Sequence, residues 1–409
     1  MTAQALVAKR SPSVYHRGPQ SADNESADNL ETKGSEHMEF TIEKSDLLKE
    51  LNLVQGVVEK KNTIPILSNL LIESDGSGRI LILGTDLDVS LRTSAAAAVK
   101  TEGSMVVSAR KLFDIVRNLP DAPIRFTQES NEWVVIDCAR SKFKVVGQGR
   151  EHFPVVPGWI ESQYRIPAEV LRTLINRTIF AITQEESRYT LNGAFFRLEA
   201  GSARMVATDG HRLSFVDRSG LDTGAPADGE EVKALIPRKT LAELLRLTTE
   251  SDDVVEFARD ENHLFFRIGG RVLVSRMLSG QFPNYELVMP KETPNSVRID
   301  GAEMQSAIRR AALMADERSR AVKLQFGMER LEIMSQSAEV GEARETLATD
   351  YDGADVQIGF NAQYLTDFLN VAGEGQIAFE FKDGQSQAQM RPATGDEYDY
   401  KYVIMPMRL

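Results

Sequence analysis

Little in this 409-residue sequence invites covalent chemistry. It holds one cysteine, Cys138, which excludes an internal disulfide framework and fits a reducing cytoplasm. A small core residue on a strand is the simplest reading of that thiol. The five histidines are scattered with no paired spacing, so they offer no metal site. No glycine-rich phosphate loop and no nucleophile elbow occurs, and no cofactor is expected. No apolar run approaches the roughly 18 residues of a membrane span. Positive charge is also scarce: 48 Lys and Arg stand against 60 Asp and Glu, a net charge of −12. Taken as a sum this speaks against nucleic acid, because phosphate binding needs lysine and arginine. What remains is ample for ordinary cores, with 42% hydrophobic and 26% charged residues.

The chain is organised by a long repeat. From Arg188 to Leu213, apolar positions at Leu191, Phe195 and Leu198, a turn at 199–202, then Met205 and Val206 predict two antiparallel strands ending in Thr208-Asp209-Gly210-His211-Arg212-Leu213. The same plan runs from Ser68 through a turn at 76–78 to Gly84-Thr85-Asp86-Leu87. Asn69 and Asn192 are 123 positions apart, as are Thr85 and Thr208. An offset that long marks duplicated domains, since solenoid repeats run only about 20 to 50 residues.

Residues 1–37 are polar and are expected to be a disordered extension, with Met38 as a possible start of the folded chain. Three repeated units are expected, at 38–160, 161–290 and 291–409. Ser45 or Asp46 can cap a first helix carrying Leu47, Leu48, Leu51, Val54 and Val58. Further helices are predicted at 109–119, 167–183, 238–248, 301–314 and 361–372, and late hairpins at 133–146 and 254–268. Phe153-Pro154 and Phe282-Pro283 recur 129 positions apart as connectors. In the third unit Ser335-Gln336 replaces the Thr-Asp of the others.

Charge is unevenly distributed. The six helical segments together carry +5, so the remainder carries −17. Such segregation suits a body that presents basic helices to something anionic, although Lys and Arg are also good helix formers on any solvated face. Asp209 and His211 invite a hydrolase reading. Two such residues in a turn more often cap backbone groups.

Several segments carry a resemblance: Thr63-Ile64-Pro65-Ile66-Leu67-Ser68-Asn69-Leu70-Leu71, Gly84-Thr85-Asp86-Leu87, Ala109-Arg110-Lys111-Leu112-Phe113, Leu191-Asn192-Gly193, Ala207-Thr208-Asp209-Gly210-His211-Arg212-Leu213, Phe282-Pro283-Asn284-Tyr285 and Met405-Pro406-Met407-Arg408-Leu409. In this order and spacing the chain from Met38 onward resembles the bacterial beta sliding clamp family. That resemblance implies an α+β fold of three repeated domains, each with two helices on antiparallel sheets, and a head-to-tail homodimer closing a six-domain ring around duplex DNA. It implies no catalysis, no metal and no membrane, and a cytoplasmic, nucleoid-associated place. Partners would be the replicative polymerase alpha subunit, the clamp loader, and other polymerases and repair proteins bound through short peptides. The implied DNA-facing residues are Lys61, Arg110, Arg117, Arg188, Tyr189, Arg238, Lys239 and Arg246. The implied peptide pocket comprises Leu191, Thr208, Gly210, His211, Arg212, Leu213, Pro283, Val288, Val403, Met405, Pro406, Met407 and Arg408. Phe143 and Val145 would face Leu313 and Met314 across the dimer contact. The chain departs from the family at Thr190, where many members have an aromatic, and at Glu286-Leu287, commonly a basic pair. A hydrolase using Asp209 and His211, or a β scaffold that never meets DNA, are the competing readings.

Overall fold

Among the described residues are six three-stranded antiparallel meanders, two to a domain. The computed structural model describes residues 37–58, 64–162, 164–185, 187–225, 231–395 and 397–408. In each half-domain a short strand leads into a helix, and the meander follows. The helices are α1 (Lys44–Val54), α2 (Ala109–Asn118), α3 (Ala168–Asn176), α4 (Arg238–Thr249), α5 (Gly301–Ala312) and α6 (Ala362–Ala372). The leading strand pairs in the sheet of the other half, as Glu39–Ile42 does with Ile124–Gln128, so the two halves of a domain interlock.

Strand alternation gives each of the first two domains' leading meanders two apolar faces. In Gly193–Glu199, Ala194, Phe196 and Leu198 point into the main core beneath the helices. Phe195 points the other way, into a separate cluster. The helices carry narrower stripes. In α2 only Ala109, Leu112 and Val116 are buried, leaving Arg110, Lys111 and Arg117 in solvent.

Domains are joined by sheet continuity. The third strand of the leading meander of domain 1, Val89–Ala96, pairs with the third strand of the trailing meander of domain 2, Arg271–Arg276. Domain 2 repeats this with domain 3, pairing Arg212–Ser219 with Tyr398–Ile404 from Arg212 opposite Ile404 to Arg218 opposite Tyr398. Two third strands keep an open edge: Ser141–Val145 and Gly341–Ala348.

Three local expectations need correction. Helix α1 starts at Lys44 after an extended Glu43, with no side-chain cap, because Ser45 reaches only the Asp46 carboxylate. Helix α3 stops at Asn176, well short of Thr183. There Thr178 turns its hydroxyl back to the carbonyls of Leu174 and Ile175, and the chain continues as a tight turn at Ile179–Ala181. The late hairpin at 254–268 is a meander, since Arg271–Arg276 adds the strand that crosses to domain 1.

Candidate functional site

Helices pack in pairs within each domain, α1 with α2, α3 with α4 and α5 with α6. The pairs are stitched into one file by cations. From α4, Arg246 donates to the carbonyls of Asn52 and Leu53 at the end of α1, at 3.4 Å for Leu53. Lys239 pairs with Asp86 and donates to the Val57 carbonyl at 3.2 Å. Beside them Arg271 grips Glu50 in a bidentate buried pair at 2.6 and 2.9 Å. Between domains 2 and 3, Arg212 reaches Asp367 on α6 at 2.6 Å and the Phe180 carbonyl, just past α3, at 2.7 Å. The helices therefore follow one another as α2, α1, α4, α3, α6, α5, with the sheets behind them.

This placement sorts the cations named from the sequence. Arg110 and Arg117 stand in solvent on α2, loosely tied to Asp114 at 4.0 and 3.7 Å, with the exposed Lys111 between them. Tyr189 is exposed, and Arg188 beside it donates to the Asp209 carbonyl at 2.6 Å while pairing with Glu185 at 2.9 Å. Arg238, Lys239 and Arg246 are engaged with protein: Arg238 donates to the Ile179 and Ile182 carbonyls at 2.8 and 3.3 Å, and burial lowers its pKa. Lys61 lies outside the described residues. Sequence patterning marks which residues are basic but is blind to carbonyls arriving from a neighbouring domain. Lys111 was passed over, although its place on the exposed α2 face follows from the spacing.

On the opposite side of the domain 2 sheet lies a second apolar cluster. Val206, Leu213, Phe215, Leu235, Phe282 and Val403 are buried in it, with Leu191, Phe195, Tyr285 and Val288 half-buried around them. The connector that follows Arg271–Arg276 folds back over this face, stacking Phe282 on Phe195 at 5.7 Å. Of the residues named from the sequence, Leu191, Leu213, Val288 and Val403 meet here. Pro283 is exposed beside Phe282. The contributions of Phe195, Phe215, Leu235 and Tyr285 were missed, although the alternation that sends Phe196 inward sends Phe195 out.

The turn at Thr208–Arg212 leads into this cluster at Leu213. Thr208 Oγ1 donates to the Arg212 carbonyl and accepts from the Gly210 N–H, at 2.6 and 3.1 Å. Asp209 accepts from the His211 and Arg212 N–H groups at 2.9 and 3.0 Å, and its second oxygen takes Arg212 Nε at 3.0 Å. Gly210 has φ +88°, and a Cβ there would sit 2.9 Å from Arg188 Nη1. Asp209 thus serves backbone and guanidinium and does not orient the His211 ring, which lies against Tyr364 with centroids 6.4 Å apart. That arrangement removes the support for a hydrolase dyad. The Arg212 side chain is buried under Tyr364, 4.3 Å from the ring centroid, and pairs with Asp209 and Asp367. Burial opposes its charge, but Tyr402, Asp367 and Asp209 outweigh this and raise its pKa.

The chain end completes the site. Met405 N–H donates to the His211 carbonyl at 2.9 Å, and Met407 N–H to Gly359 at 2.8 Å. Met405, Pro406 and Met407 are half-buried and Arg408 is exposed. Far from it, the open edge strand Ser141–Val145 exposes Phe143 at 40%, with Val145 packed on the core; Leu313, 73% exposed, and the half-buried Met314 follow α5 next to the other open edge.

Among the described residues no helix is long and apolar enough to cross a membrane, and no cluster of three metal-ligating side chains occurs. Three family models match: the DNA polymerase III beta subunit N-terminal domain over residues 38–157, its central domain over 165–284 and its C-terminal domain over 286–408. The beta sliding clamp of Pseudomonas aeruginosa is 36% identical over 376 residues, covering 91% of this chain and 100% of that protein. That of Escherichia coli K12 is 32% identical over 374 residues, with the same coverage. Among solved structures, the Pseudomonas aeruginosa sliding clamp bound to griselimycin is similar with a TM-score of 0.84 at 36% identity, and the Bacillus subtilis sliding clamp with 0.86 at 27%; each match covers 91% of this chain and 100% of the other.

Proposed function

The chain belongs to the DNA polymerase III beta subunit family, the beta sliding clamps, and from that premise we propose that it closes into a ring that holds duplex DNA by encirclement and tethers polymerases by short peptides. One observation carries the ring. Both internal joints pair a leading third strand with the trailing third strand of the next domain, and the two open third strands are one of each kind, at opposite ends of the chain. Applied once more, the rule pairs Gly341–Ala348 of one copy with Ser141–Val145 of a second. Phe143 and Val145 then meet Leu313 and Met314; each contact is heterologous, and two copies related by a half-turn satisfy both open edges. We take the domains as 38–160, 161–290 and 291–409.

Inside such a ring the file of helices faces the duplex. Arg110, Lys111 and Arg117, with Tyr189, are the exposed side chains that meet phosphate, while Arg188, Arg238, Lys239 and Arg246 contribute field from the positions where protein holds them. Phosphate contacts carry no sequence information, and topology relieves them of holding the complex, so few and weak contacts let the ring slide. The apolar cluster is the peptide groove: Leu191, Leu213, Pro283, Val288 and Val403 receive large apolar side chains, and His211, Met405 and Pro406 close over them. Methionine thioethers adapt to several ligands. The protein performs no catalysis and works in the cytoplasm.

Loading on nicked circular plasmid tests the ring. Retention on the circle and loss on linearisation is expected, with a solution mass of a dimer. Equal retention on linear DNA would sink encirclement. Replacing His211 by alanine is expected to weaken peptide binding without removing any turnover.

A further inference from the structure

In the first two domains a connector crosses the outer face of the leading meander, Phe153 over Leu71, Leu83 and Val106, and Phe282 over Val206 and Phe215. The same face of domain 3 has a different character. Its outward positions include Lys323, Gln325, Glu332, Met334, Gln336, Glu342, Arg344 and Gln357, polar or charged except for one methionine. A cavity of about 780 Å³ lies there, bounded by Lys323, Met334, Arg344, Gln357, Met407 and Arg408.

Registers place these groups in one row. Gly359 is opposite Lys323, Lys323 opposite Met334, and Met334 opposite Arg344. Met407 bridges to Gly359, so the chain end extends the row by one more strand. Met405, two residues earlier, bonds to His211, in the turn that leads into the apolar cluster. Two residues span about 7 Å of extended chain. The tail therefore runs between the apolar cluster and this cavity.

Charge distinguishes the cavity from its surroundings. Lys323 and Arg408 make no ion pair among the described residues, and Arg344 touches only Glu332, at 4.0 Å. The one carboxylate in the lining is Glu342. A cationic hollow on a body of net charge −12 selects for an anionic ligand.

We propose that the cavity prolongs the peptide groove: a partner peptide whose apolar end fills the groove lays an acidic segment across domain 3, its carboxylates at Lys323, Arg344 and Arg408 and an apolar side chain against Met334. This rests on the peptide reading of the groove. Fluorescence anisotropy with three acetylated probes tests it: a hexapeptide containing Leu-Leu-Phe, and the same peptide extended by three glutamates at its N- or its C-terminus. At about 50 mM salt one extension should bind roughly five- to tenfold more tightly than the core, and the gain should fade at about 300 mM as screening shortens. Lys323→Gln with Arg344→Gln should abolish the gain and leave core affinity unchanged. Core binding with no gain from either extension, or a gain that survives in the double variant, overturns the proposal and leaves the groove intact. Failure of the core peptide to bind overturns both.

Discussion

Replacing Arg212 by alanine would test whether the turn beside the apolar cluster depends on a buried charge. The side chain is 9% exposed, between Asp209 at 12% and Asp367 at 20%, and it also bonds the Phe180 carbonyl and stacks on Tyr364. Removing one member of a buried pair costs about 3–5 kcal/mol, because the remaining charges lose their partner. Here both carboxylates can rehydrate in part, and Asp209 keeps its backbone donors, so roughly 2–4 kcal/mol is expected. Three domains make global unfolding a poor probe. Native-state hydrogen exchange of Arg212–Ser219 and Tyr398–Ile404 reads the joint directly. A double-mutant cycle with Asp367→Asn should return a coupling of about 1–3 kcal/mol, and peptide affinity should fall with it. If the opening free energy of those two strands drops by less than about 0.5 kcal/mol, the surface-pair value, the burial reasoning is wrong.

Leu87 occupies the turn position of Gly210, with the same Thr and Asp hydrogen bonds, yet sits at φ +80° as a half-exposed leucine. Leu87→Gly should raise the opening free energy of Arg79–Thr85 and Val89–Ala96, read by native-state hydrogen exchange, by about 0.5–1 kcal/mol, the left-handed strain exceeding the entropy that glycine adds. Phe143→Asp places a charge on the open edge beside Lys142 and Lys144 and is expected to shift sedimentation from dimer to monomer with the melting curve of domain 1 unchanged; a persistent dimer would contradict the edge assignment. Backbone N–H groups hold Asp75, Asp316 and Asp383 below the ordinary carboxyl value of 3.8. Depressed folded values stabilise above that figure and the benefit disappears as pH falls through them, so thermal midpoints should stay level to about pH 5 and drop below about pH 4.

Much of this arrangement was legible in the residues. The offset shared by Asn69 and Thr85 with Asn192 and Thr208 gave duplication, and period-2 alternation gave two strands in each of the four meanders of the first two domains. The strand that completes the trailing meander of domain 2 was harder. Arg271–Arg276 is short and flanked by charge, and what fixes it is a partner strand 180 residues away, which no local pattern records. Helix α3 read too long because Thr178 and Ile182 continue the apolar stripe, whereas the break is made by the Thr178 hydroxyl. For the sites, residue type marked the candidates and burial sorted them. Arg246 and Arg117 are alike in sequence, one ending on carbonyls of α1 and the other in water.

The two open strands differ from one another, and this gives each chain a direction. A molecule with distinct front and rear couplings cannot finish by meeting its mirror arrangement; it either comes full circle or keeps growing. Small changes in the pitch of a joint, such as the loss of the Glu50–Arg271 clasp, would then show themselves first as open spirals and fibres under the electron microscope, before any loss of folded structure.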